Sequence, residues 1–239
     1  MTDTYKELLK GVDPSLTEYI ESSVIPRYAS FDKAHHEDHA RSVVTKALQM
    51  ADALDSGGCR SKGLGPYELS LGLAPAGLDR NILYAAAACH DLGLEVDRAT
   101  HHLESGRIIR HDAFLLSFFG PDKLETVARA AEDHRASSKT EPRGIYGRLV
   151  AEADRDIEAH SIIRRTVQFG LDHYPELEKE DHWERTLQHL QEKYGDGGYL
   201  RLWIPGSPNE ARLEELRVII RNPQALRGIF DKIWEEEAK

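Results

Sequence analysis

The chain has 239 residues, of which 40% are hydrophobic and 30% charged, and its formal net charge is -10. This is the composition of an ordinary globular protein, and the acidic balance argues against extended nucleic acid as a partner, because phosphate-backbone binding needs a basic surface. The sequence has no run of about 18 apolar residues and no signal peptide at its start, so we predict a cytoplasmic protein without a membrane span. Its two cysteines, Cys59 and Cys89, form no paired spacing and are expected to be free thiols.

Helical periodicity runs along almost the whole chain. Apolar residues recur at spacings of three and four, no alternating strand pattern competes, and glycines and prolines mark the ends of the segments. The predicted helices span residues 14–28, 36–55, 79–91, 99–118, 122–134, 143–170, 181–194, 209–221 and 223–236. We therefore predict an all-α protein with a single domain over residues 1–239. The stretch 56–77 exceeds the usual length of a connection and is interpreted as a lid, a binding loop or an insertion.

Several polar side chains lie on the apolar faces of these predicted helices. By helical periodicity the inward-facing residues are His39, His90, His134 and Asp154. His102 precedes Ser105 and Gly106, small residues that let another helix or a ligand approach. Each of these side chains alone is more often a satisfied core residue, because buried polar groups usually find partners. Together they would form a costly buried network, whereas one divalent metal site explains all of them.

The order of these residues resembles a known pattern. A histidine, a His-Asp pair and an aspartate follow one another as His39, His90, Asp91 and Asp154. This resembles the H…HD…D pattern of the HD-domain superfamily of metal-dependent phosphohydrolases, and His102 in "HHLESG" and His134 in "EDHR" are similar to the two further histidines of its dinuclear subgroup. The resemblance covers about residues 31–157 and implies an HD-domain-like helical bundle. The C-terminal helices over 181–236 are expected to pack on this core.

The resemblance and helix geometry together suggest ligands for one or two divalent ions, which could be Mn, Fe, Mg, Zn or Ni. Adjacent helical residues lie about 100° apart, so His90 and Asp91 can reach one point only near a helix end. The first ion is predicted to be held by His39, His90, Asp91 and Asp154, and the second by Asp91, His102 and His134. His101 is expected to turn away from them, toward solvent or its neighbours.

Such a site predicts a hydrolase. Two ions about 3.5 to 4 Å apart can activate a water and clamp a phosphoryl group, and their charge suits an anionic partner. We predict a phosphohydrolase for a small phosphate ester or nucleotide, with Asp91 as the bridging catalytic residue and His35 as a proton donor or substrate contact. The predicted phosphate contacts follow His134 in the chain and are Arg135, Lys139 and Arg143. The alternative for these three is an ordinary solvated loop.

Two other functions fit the same residues. The six predicted ligands also resemble those of the HD-type di-iron oxygenases, which bound iron and oxygen uptake would identify. The second alternative is a regulatory or binding module without catalysis, whose metal is purely structural. Against it stands the number of ligands, because structural zinc sites are usually closed and four-coordinate.

Overall fold

The computed structural model describes residues 3–32, 35–55, 78–137 and 140–238. Within these ranges every regular element is helical and no strand occurs, so the predicted all-α fold is confirmed. None of the described helices combines the length and the apolarity that a membrane span requires. Cys89 is a buried free thiol. The predicted loop over 56–77, with Cys59, lies outside the described residues.

The chain divides into two compact units. They comprise Met1–Arg155 with Trp203–Pro205, and Asp156–Leu202 with Gly206–Lys239. The single domain over residues 1–239 and the packing of helices 181–236 on the metal-binding core stay predictions.

Seven α-helices form the first unit within the described ranges. They are α1 Asp3–Leu9, α2 Pro14–Tyr19, α3 Glu37–Asp55, α4 Arg80–Cys89, α5 His101–His111, α6 Ala113–Glu132 and α7 Ile145–Asp154. A π-helical turn, Ile20–Val24, and a 3-10 turn, Ile25–Ser30, continue α2, and another 3-10 turn, Leu92–Glu95, follows α4. Helix α4 packs against α3, α6 and α7, and it is buried from Ile82 to Cys89. The end of α4 therefore lies inside the first unit.

Capping explains why one predicted helix is split. We predicted a single helix over 99–118, but Asp112 leaves the helical conformation and its carboxylate accepts a hydrogen bond from the Leu115 amide (2.9 Å). This N-cap ends α5 and begins α6. The stop expected at Gly120 and Pro121 is instead a kink within α6, where Gly120 adopts φ 70°. Glycine reaches this left-handed region without the steric cost of a side chain.

The predicted helix over 143–170 is likewise two helices. Helix α7 ends at Asp154, and the carboxylate of Glu158 caps the next helix by accepting a hydrogen bond from the His160 amide (3.0 Å). Asp154 therefore lies at a helix end, as the pair His90 and Asp91 does. The helices of the second unit are α8 Ala159–His173, α9 Lys179–Tyr194, α10 Pro208–Ile220 and α11 Pro223–Glu237.

Candidate metal centre

Asp91 lies between two groups of histidines. Its Oδ2 atom is 3.6 Å from Nε2 of His39 and 3.1 Å from Nε2 of His90. Its Oδ1 atom is 3.5 Å from Nε2 of His101 and 3.3 Å from Nε2 of His134. The ligand atoms within each group lie within 4.8 Å of one another, so each group could hold a metal ion. One carboxylate thus faces both groups with different oxygens.

Asp154 joins the first group from the C-terminal end of α7. Its Oδ1 atom is 3.2 Å from Nε2 of His39 and 3.6 Å from Nε2 of His90. The structure therefore brings together all four residues that the sequence suggested for the first ion.

Backbone carbonyl groups orient three of the imidazoles. In His90, His101 and His134 the Nδ1 atom lies 2.8, 2.8 and 2.6 Å from the carbonyl oxygen three residues earlier. Those carbonyl groups belong to Ala87, Arg98 and Ala131. Because a carbonyl oxygen only accepts, Nδ1 carries the proton and Nε2 of the neutral ring keeps a lone pair. The anchored rings therefore present three nitrogens that could bind a metal ion to the Asp91 carboxylate.

The Nε2 nitrogens within each group lie too close together for two unprotonated atoms with nothing between them. Nε2 of His101 is 3.0 Å from Nε2 of His134, and both rings place their Nδ1 proton on a carbonyl group. Two lone pairs at this distance repel each other unless a proton or a metal ion lies between them. Nε2 of His39 and Nε2 of His90 are 3.3 Å apart in the first group. Imidazole nitrogens that share a carboxylate suit Mn, Fe or Zn, so the donor set fits a pair of divalent ions.

The electrostatics of the carboxylates also favour a cation. Burial alone would raise the pKa of Asp91, but positive charge on His90 and protons on the facing nitrogens of His134 and His39, which take the place that a metal ion would fill, hold that pKa well below its usual range. Burial opposes ionisation of Asp154 too, and protons on the facing nitrogens of His39 and His90 again keep its pKa well below the usual range. Both carboxylates are therefore ionised near neutral pH.

A family model of the HD domain matches residues 35–157. The matched segment is more than half of the chain, and it contains every residue of the two groups around Asp91. The chain belongs to the HD-domain family. This family consists largely of metal-dependent hydrolases, and its members bind divalent metals. Comparisons with curated proteins and with solved structures found no significant match.

Within this HD domain the structure corrects one expected residue, because His101 and not His102 faces Asp91. Gly93 follows the HD pair, and a Cβ atom there would collide with the carbonyl oxygen of His101. The Gly93 amide donates a hydrogen bond to Oγ of Ser105 (2.8 Å), so the Ser105 face of α5 contacts this turn. Ser105 is four residues from His101 and three from His102, and residues at either spacing share a helix face. The spacing to Ser105 alone does not distinguish the two histidines, whereas the contact of Gly93 with His101 indicates that His101 lies on the side of α5 that faces the turn.

His102 lies beside Arg135 at the edge of the second group. The Arg135 guanidinium donates to Nδ1 of His102 (3.4 Å), to Oγ of Ser137 (3.0 Å) and to the Ala99 carbonyl oxygen. Burial, and then the charge of Arg135, lower the pKa of His102 to about 4. The ring is therefore neutral at neutral pH, and it neighbours an arginine that the sequence assigned to phosphate binding.

The structure does not support Arg143 as a phosphate contact. Its guanidinium donates to the carboxylates of Asp133 (2.9 Å) and Glu132 (2.6 Å), and its backbone amide donates to Asp133 (2.7 Å). Two carboxylates thus neutralise this arginine. Because they directly precede His134, the ion pairs brace the turn that carries His134. Lys139, the third predicted phosphate contact, lies outside the described residues.

His35 lies one turn before His39, with ring centroids 5.8 Å apart. Its Nδ1 atom is 2.7 Å from Oδ1 of Asp32, and Oδ2 of Asp32 accepts a hydrogen bond from Arg98 (2.6 Å). The carboxylate thus orients the His35 ring through Nδ1 and leaves Nε2 for another partner. Asp32 was missed in the sequence, although its spacing of three residues from His35 was a readable signal.

Proposed function

We propose that this HD-domain protein is a phosphohydrolase that acts on a small phosphate ester or nucleotide. The observation that carries the proposal is the position of Asp91, which offers one carboxylate oxygen to each group of histidines. Divalent ions bound there would supply a water activated near neutral pH and a positive clamp for phosphoryl oxygens. The cytoplasmic location stays a prediction from the sequence.

The charge of the ligand set supports an anionic substrate. Asp91 and Asp154 contribute two negative charges, and neutral imidazoles contribute none. A pair of divalent ions would leave this set with a net positive charge, although the whole chain is acidic. The proposed ligands are His39, His90, Asp91 and Asp154 for one ion, and Asp91, His101 and His134 for the other.

Arg135 is the proposed contact for the phosphate group or groups of the substrate. Its guanidinium lies beside His102, which adjoins the proposed ligand His101 in the chain. A planar guanidinium matches phosphate geometry because it can donate two parallel hydrogen bonds. His102, which is no longer a proposed metal ligand, is proposed to form a hydrogen bond with the same substrate.

His35 is proposed to give a proton to the leaving-group oxygen. Asp32 holds Nδ1 of this ring, so Nε2 is the atom that exchanges the proton. We expect His35→Asn to lower kcat about 100-fold, because general acid catalysis typically contributes that much or more. Metal content should stay unchanged, since His35 is not a proposed ligand. Steady-state kinetics and elemental analysis check both, with His36→Asn as the control at the neighbouring histidine.

A release assay tests the proposed function. The purified protein is analysed for bound metal and is then incubated with Mn²⁺ and a panel of nucleotides, sugar phosphates and simple phosphate monoesters and diesters. We expect about two ions per chain and release of phosphate or pyrophosphate. Bound iron with oxygen uptake and no hydrolysis would identify the oxygenase instead. Tightly bound metal with neither reaction would identify the regulatory module.

A further inference from the structure

The hydroxyl group of Tyr28 lies directly behind the HD pair. Tyr28 is fully buried in the 3-10 turn that follows α2. Its hydroxyl donates a hydrogen bond to the Ala88 carbonyl oxygen (2.8 Å) and accepts one from the Asp91 amide (3.2 Å). One side chain thus bonds to the backbone on both sides of His90.

The Asp91 amide needs this partner because it has left the helix. In a continuing α-helix it would donate to the carbonyl group of Ala87, four residues earlier. That carbonyl oxygen already accepts the Nδ1 proton of His90 (2.8 Å). Helix α4 ends at Cys89, and Asp91 has φ -105° and ψ 6°, outside the helical region. The Tyr28 oxygen therefore takes the place of the lost helical acceptor.

The Ala88 carbonyl oxygen likewise needs a hydrogen-bond partner, in this case a donor. The last four carbonyl groups of an α-helix have no amide partner within the helix. Ala88 is completely buried, so an unpaired carbonyl oxygen there would be unfavourable. The Tyr28 hydroxyl proton satisfies it. The same hydroxyl thus supports both the end of α4 and the turn after it.

We propose that Tyr28 is a positioning residue for the metal centre, which acts by fixing this turn. Two consecutive side chains reach one site only because the backbone changes direction between His90 and Asp91. Phenylalanine would fill the same space but would leave the Asp91 amide and the Ala88 carbonyl group unpaired. The Asp91 carboxylate, which faces both groups of histidines, would then lose its fixed orientation. The inference rests on the proposed metal centre, and it does not depend on which substrate is hydrolysed.

Tyr28→Phe tests this role with Mn²⁺ as the probe. We expect its Mn²⁺ affinity, measured by calorimetric titration, to fall about tenfold or more, as for other groups that orient metal ligands. The helical circular dichroism should persist. The matched control is Tyr5→Phe, because Tyr5 is also buried in this core and its hydroxyl donates to Oε1 of Glu21 (2.7 Å). This control should bind Mn²⁺ as the wild type does.

The outcomes separate the Tyr28 role from the proposed function. If the wild type binds Mn²⁺ but hydrolyses no phosphate ester or nucleotide, the proposed function is refuted. A loss of Mn²⁺ affinity in Tyr28→Phe alone would still support the positioning role. Three results would overturn the positioning role. They are an unchanged Mn²⁺ affinity in Tyr28→Phe, equal losses of affinity in Tyr28→Phe and Tyr5→Phe, and a wild type that binds no Mn²⁺. If Tyr28→Phe does not fold, hydrogen exchange at the wild-type Asp91 amide decides. Protection supports the bond to Tyr28, and exchange as fast as at a surface amide overturns it.

Discussion

Asp91→Asn is expected to reduce phosphate release by at least about 10,000-fold, because the proposed water-activating pair of ions would lose its shared carboxylate. Asparagine keeps the shape of the side chain but removes its charge. Only one oxygen then remains, whereas Oδ1 faces His101 and His134 and Oδ2 faces His39 and His90. We expect the variant to lose most of its bound metal as well.

Elemental analysis and initial rates on the same preparations measure both effects. Asp38→Asn is the matched control, since Asp38 is an exposed aspartate next to His39 and its side chain belongs to neither group. The control should keep wild-type metal and activity. If Asp91→Asn retained full metal content and rate, Asp91 could not be the bridging residue.

His101→Ala and His102→Ala are expected to differ sharply, although the residues are adjacent. The first change removes a nitrogen that lies 3.5 Å from Oδ1 of Asp91 and 3.0 Å from Nε2 of His134. We expect it to lower the bound metal toward one ion per chain and to reduce kcat about 1,000-fold, because the two-ion clamp is lost. His102→Ala leaves the proposed ligands intact and should mainly raise KM.

The pair of variants forms its own control, because both remove one imidazole from the first turn of α5. Metal content and the separate values of kcat and KM distinguish them. If His102→Ala lost the metal and His101→Ala kept it, the ligand that the sequence suggested would be right and the arrangement in the structure would be wrong.

Helical period was sufficient to single out the residues of the first group other than Asp91. His39, His90 and Asp154 each lie on an apolar face of a helix, and this pattern depends only on neighbours within two turns. The all-α fold followed from the same signal. Asp91 came from the resemblance to the HD pattern, and Gly93 indicated that the helix ends beside it, where both side chains of the pair can reach one site.

The second group needed information from outside its own helix. His101 and His102 are both compatible with the spacing to Ser105, and the choice depends on where the Gly93 turn contacts α5. The sequence did not indicate that Arg143 is paired, because its partners Asp133 and Glu132 lie ten and eleven residues earlier in the chain. Tyr28 carried no signal at all, since its partner Asp91 is 63 residues away. Contacts between segments distant in sequence leave no periodic trace.

The most direct test of a shared dinuclear centre is electron paramagnetic resonance of the protein loaded with Mn²⁺. A carboxylate that bridges two ions about 3.5 to 4 Å apart should couple their spins. We expect about two ions per chain and a spin-coupled spectrum that Asp91→Asn abolishes. An isolated, uncoupled Mn²⁺ signal at full loading would contradict a centre bridged by Asp91.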